Sequence, residues 1–174
     1  MPRRILALAV VLAALLAPAA LAGCGSSKSS SSSSTSTTQM STATVRTASG
    51  SLGTFLVAAD GRTVYLFARD RGPHSTCSGA CIAGWPAVTT HGKPQASGSA
   101  NAAMLGVTKR SDGTTQVTYA GHPLYFYAGD GAASDTNGQG VNAFGAKWYV
   151  VAPGGTAVTK QASSGSGGGG GSGY

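Results

Sequence analysis

The chain contains no glutamate, and its acidic side chains are five aspartates: Asp60, Asp70, Asp112, Asp130 and Asp135. Acid this sparse supplies no closely paired carboxylates of the glycosidase kind. HExxH is missing, and so is a GxSxG set between a strand and a helix, so neither zinc-protease nor α/β-hydrolase chemistry has a foothold. Helical patterning is missing too. No window of about eleven residues keeps apolar positions at i, i+3, i+4 and i+7, and glycine interrupts every promising run. Charged residues make up only 10% of the chain, and no dense basic cluster exists for nucleic acid to bind. These absences argue against an enzyme and against a helical bundle.

What is present is a duplicated stretch, GRTVYLFARD at Gly61–Asp70 and GHPLYFYAGD at Gly121–Asp130. Aligned on Tyr65 and Tyr125, both copies open with glycine, carry an aromatic two residues after the tyrosine and close on aspartate. A tryptophan follows each, at Trp85 and Trp148. The tyrosines read as core aromatics whose hydroxyls need partners. Asp70 and Asp130 read as turn caps that bond backbone N–H groups, with metal ligation or proton transfer as the functional alternative.

The ends set the address. Residues 1–23 combine Arg3 and Arg4, an apolar run from Ile5 to Leu16, and LAGC at Leu21–Cys24. Such a segment is a secretory signal rather than a spanning helix. The LAGC ending resembles the lipobox of bacterial lipoproteins, which implies cleavage before Cys24 and acylation of its sulfur with diacylglycerol carrying chains such as palmitate. Two or more acyl chains anchor durably, so the expected partner is a membrane held through lipid and the expected location is extracytoplasmic. Residues 24–50 are dominated by Ser and Thr and read as a disordered tether, and residues 161–174 as a Gly/Ser tail.

Residues 51–160 remain as one domain of two repeats, about 51–90 and 103–160. Its eight Lys and Arg against five Asp give a net charge of +3, enough for mild attraction to anionic lipid or cell-wall polymer. Strand signals dominate it. GTFLVAA (Gly53–Ala59) runs into the hairpin dipeptide Asp60–Gly61, with Arg62–Ala68 as the return strand. Ala103–Lys109, Thr114–Ala120, Pro123–Ala128, Lys147–Ala152 and Thr156–Thr159 read as further strands, and SDG at Ser111–Gly113 as a turn. The prediction is an all-β domain, two tandem β-meanders about a pseudo-twofold axis, packed as a small sandwich or barrel-like unit. The two Tyr-bearing strands are apolar on both faces and belong at its centre.

YLFARD and YFYAGD, with GWP at Gly84–Pro86 and GQG…WYVVAPGG after the second copy, resemble the secreted-repeat lipoprotein family with a YxxxxD motif. The resemblance covers nearly the whole folded domain. It implies a cell-surface lipoprotein of undefined activity and supplies no catalytic residues.

Two unrepeated stretches carry the remaining chemistry. In HSTCSGAC, Cys77 and Cys81 form an even pair in an exported protein and read as a structural disulfide. The alternative is copper or thiol redox, with His74, Cys77 and Cys81 as ligands and His91, His122 or Met104 more distant. GDGAASDTNGQG offers oxygen donors at Asp130, Ser134, Asp135 and Asn137 for calcium, but lacks the closing acid of an EF-hand. No cofactor is expected. The functional expectation is a lipid-anchored envelope module, binding or structural, and the alternative is an extracytoplasmic copper or electron-transfer protein.

Overall fold

The computed structural model of the protein describes residues 41–160. Backbone pairing starts earlier than composition suggests. Strand β1 (Thr44–Gly50) pairs antiparallel with β2 (Gly53–Ala58), from Val45 opposite Ala58 to Gly50 opposite Gly53. The tether assigned to residues 24–50 therefore gives way to the domain by residue 44. The reason is physical. Only Val45 of β1 is fully buried, so the strand shows almost no hydrophobic pattern and is fixed by its backbone ladder to β2.

Seven further strands follow: β3 (Tyr65–Phe67), β4 (Gln95–Ala96), β5 (Leu105–Lys109), β6 (Thr115–Tyr119), β7 (His122–Pro123), β8 (Asn142–Ala143) and β9 (Ala146–Val150). The helical content of the described residues is one short helix, α1 (Ala80–Gly84), and a 3-10 turn at Ala102–Met104. The strands form three small sheets, β2-β1-β4, β3-β9-β8 and β5-β6-β7, and none closes into a barrel. Thr156–Thr159 contributes only a bridge between Ala157 and Val151.

The return strand after Asp60–Gly61 stays with β2 briefly, through Ala58 N–H to the Arg62 carbonyl and Val64 N–H to the Leu56 carbonyl. Then β3 leaves its own repeat. It pairs with β9, setting Phe67 opposite Trp148 and Tyr65 opposite Val150. The counterpart exchange joins the Trp85 segment to the second repeat, where Phe126 N–H donates to the Pro86 carbonyl and Val88 N–H to the Leu124 carbonyl. The two edges match bond for bond, because Leu56 N–H reaches Val151 as Val117 N–H reaches Val88. Each repeat thus receives the backbone segment that carries or follows the other's tryptophan, as strand β9 on one side and as the bridged stretch after Trp85 on the other. At the centre, Tyr65 and Tyr125 exchange both backbone bonds, at 2.8 and 2.9 Å.

Strand alternation sends side chains to two cores. Val64, Leu66, Leu124 and Phe126 join Val45, Leu56, Val88 and Val117 on one side. On the other side Tyr65, Phe67 and Tyr125 join Trp85, Trp148 and the Cys77–Cys81 pair.

Candidate functional site

Local geometry first places the two motif aspartates alike. Each ends a tight turn, Asp70 N–H bonding the Phe67 carbonyl and Asp130 N–H the Tyr127 carbonyl. One carboxylate oxygen then caps the following loop. Asp70 Oδ1 accepts from Thr76 N–H and Thr76 Oγ1, both at 2.7 Å, and Asp130 Oδ1 accepts from Asn137 N–H at 3.0 Å. The other oxygen crosses the axis. Tyr65 donates to Asp130 Oδ2 at 2.7 Å, and Tyr125 donates to Asp70 Oδ2 at 2.6 Å. The motif's tyrosine and aspartate therefore bond not to each other but to their counterparts in the opposite repeat.

Burial pushes both phenols well above the ordinary tyrosine range, and the neighbouring carboxylates push the same way. Both tyrosines stay neutral donors. Asp130 is also raised, by desolvation that outweighs the bonds it accepts from Tyr65 and Asn137. Beside this lock runs a column of stacked rings, Phe67 on Trp148 at 4.0 Å, Trp148 on Trp85 at 4.0 Å, and Trp85 on Tyr127 at 4.4 Å. Tyr65 meets Trp85 edge-on and Tyr125 meets Trp148 edge-on, so the column obeys the same pseudo-twofold relation. Each such ring pair adds about 0.5–1.5 kcal/mol beyond its buried area. This is framework, with its polar groups already engaged.

The two loops beyond the aspartates are built differently. In the first, Cys77 and Cys81 form a disulfide and are 1% and 5% exposed, which makes them inert toward solvent. Arg110, from the second repeat, fastens that loop: its Nη2 donates to the Cys77 carbonyl at 2.7 Å, and its Nη1 to Ser75 Oγ at 2.9 Å and Gln116 Oε1 at 2.6 Å. In the second loop Asp135 Oδ2 accepts from Gly131 and Ala132 N–H. Gly138 N–H reaches Tyr65 Oη, and a Cβ there would stand 2.8 Å from Trp85 and 2.9 Å from Tyr65. Only glycine fits so close to the ring column.

The metal sets do not assemble in this arrangement. Both sulfurs of the copper trio are bonded to each other, leaving His74 exposed and without thiolate companions. For calcium, Asp130 and Asp135 lie in one loop, but Asp130's oxygens and Asp135 Oδ2 are occupied by O–H and N–H donors. Asn137 turns its side-chain amide to the Gly129 carbonyl. Among the described residues no three His, Cys, Asp or Glu side chains gather as a metal-binding group. Cys24 lies outside the described residues.

The sequence pattern missed Arg110, Ser75 and Gln116, whose roles depend on contacts between repeats. It also passed over Arg69 and Arg71, which flank Asp70 on the surface. A signal for these two existed in the duplication itself, since the matching positions around Asp130 are Gly129 and Gly131.

Residues 46–89 and 106–152, one span on each repeat, match a family described as a secreted repeat of unknown function. The chain belongs to that family. No curated protein and no solved structure shows a significant match to it. As a secreted repeat, the domain works outside the cytoplasm, and no helix among the described residues is long and apolar enough to cross a membrane. The matched spans leave out residues 90–105, where β4 lies, and the second opens within β5, so one secreted repeat corresponds to one half of the interlocked pair.

Proposed function

We propose that this secreted repeat is a lipid-anchored surface module of the cell envelope that binds an envelope component through its loops. The observation that carries the reading is the division of labour in the fold. Tyr65, Tyr125, Asp70 and Asp130 are spent on joining the repeats, while the loops beyond them differ in sequence, bracing and charge. A framework whose tyrosines and aspartates are bonded to one another, with two unlike loops on it, suits display rather than turnover. The anchor is carried by LAGC, with Cys24 as the acylated residue, and 24–43 as the stretch between membrane and domain.

Fractionation of cells expressing Cys24→Ser tests the anchor. The wild-type chain is expected in the membrane fraction and the variant free of it. A variant that stays with the membrane would remove lipid from the reading.

A further inference from the structure

Asp70 turns its side chain inward, so its neighbours in the chain turn outward. Arg69 and Arg71 line a surface cavity of about 520 Å³ together with His74, Thr76, Gly145 and Ala146. No carboxylate lies in that wall. The nearest acid in sequence, Asp70, is 6% exposed and already receives Tyr125 and Thr76. Among the described residues the ion pairs are Arg62 with Asp60 and Arg110 with Asp112, and none neutralises Arg69, Arg71 or His74. His74 also borders a smaller cavity with Lys109, which extends the cationic rim.

Arg69 and the backbone of the loop beside it are held in place before any ligand arrives. Arg69 Nη1 donates to the Phe144 carbonyl at 3.2 Å, fixing the arginine against the β8–β9 hairpin. The loop carrying Arg71 and His74 is closed where Thr76 N–H and Oγ1 donate to Asp70 Oδ1, and it is bolted beyond that by Arg110 to Ser75 Oγ and the Cys77 carbonyl. Fixed donors lose less entropy on binding than free surface side chains.

The duplication supplies an internal control. Around Asp130 the equivalents of Arg69 and Arg71 are glycines, and the tyrosine–aspartate bond there forms at nearly the same length. The framework does not need the two arginines.

We propose that Arg69, Arg71 and His74 form a binding site for a phosphate group borne on a polar chain. Planar guanidinium forks match phosphate oxygens in pairs, and an imidazole N–H supplies a further donor. The cavity is open to solvent and, at about 520 Å³, has room for a phosphate together with neighbouring atoms of the chain that bears it. This site deepens the reading of the domain as an envelope-binding module. It stands or falls separately from the lipid on Cys24.

The test is titration of the purified full chain with sodium polyphosphate at fixed ionic strength, followed by calorimetry. The double variant Arg69→Gly/Arg71→Gly, which copies the second repeat, is expected to bind at least about tenfold more weakly, because it loses two charge-assisted donors to the phosphate. Lys93→Ala, which removes a charge outside this wall, is expected to stay within about twofold of wild type. An equal loss in Lys93→Ala would show diffuse charge attraction and overturn the site, as would no binding by wild type. Binding to phosphatidylglycerol vesicles without binding to polyphosphate would assign the patch to a membrane surface and overturn it too. If the double variant unfolds, Arg71→Gly alone decides, because Arg71 makes no hydrogen bond among the described residues; unchanged affinity there would end the proposal.

Discussion

The loops after Asp70 and Asp130 solve one problem in two ways. Both must hold a carboxylate where a tyrosine from the opposite repeat can reach it. The first uses a disulfide and an arginine borrowed from the second repeat, and its aspartate is sealed to 6% exposure. The second uses Asp135 as a cap and Gly138 as a close-packed glycine, and its aspartate is only partly buried. The lesson is that the shared function of the duplication is assembly. Covalent and cross-repeat bracing leaves the first loop free to carry exposed charge, whereas the second spends its polar groups on its own shape.

The comparison breaks most severely if the repeats are separated. Residues 41–102 alone lack β9, and residues 103–160 alone lack the Trp85 segment, so neither half is expected to show dispersed amide shifts or a cooperative melt. A folded half would mean that the strand exchange is dispensable. Next in size are Trp85→Ala and Trp148→Ala, each expected to cost about 3–5 kcal/mol in urea unfolding, the range for deleting a buried large aromatic. Similar losses would extend the pseudo-twofold relation to energetics, and a clear imbalance would show that one half dominates the column.

Smaller is the effect confined to the first loop. Cys77→Ser/Cys81→Ser is expected to lose about 2 kcal/mol, since so short a closed loop constrains the unfolded chain modestly. Amide shifts around Asp135 should stay put while those around Ser75 move. Movement in both would mean the loops are coupled through the lock.

The smallest effect concerns pH. Desolvation raises Asp130 above its ordinary value of 3.8, so the folded protein holds a proton there that the unfolded chain has already released. For this group stability rises as pH falls through the window just above 3.8, and the contribution disappears from the slope above it. Asp130→Asn should lack that slope when urea midpoints are compared between pH 6 and pH 3.5. Identical pH dependence in wild type and variant would place the titration elsewhere.

Much of the architecture was legible because it is written in local signals. Asp60–Gly61 and Ser111–Gly113 mark turns, and the β-prone runs around them appear as β2, β5 and β6. Residues 44–50 were illegible because a Thr/Ser-rich strand buries one side chain and lives on backbone pairing. Helix α1 is five residues long, too short to show a period. The exchange of tryptophan strands was illegible for a different reason: nothing in a strand's own residues says which copy of a duplicated sheet it will join. The site divides the same way. Asp70 and Asp130 do accept backbone N–H groups from the loops they precede, which is local, but the second oxygen of each answers to a tyrosine in the opposite repeat. Arg69 and Arg71 became readable only against Gly129 and Gly131, once the structure showed what the flanked aspartate requires.

The crossed strands carry a last implication about how such a chain arose and what it escaped. A chain with one repeat has a tyrosine and an aspartate that cannot satisfy each other, and a tryptophan strand with no sheet of its own to enter. It can complete this architecture only by meeting a second copy, so its folding would follow mass action and fail on dilution. Two copies in one chain turn that encounter into an intramolecular event. The fold becomes indifferent to how sparsely the protein is scattered over a surface, and the two halves, no longer bound to be identical, are free to specialise.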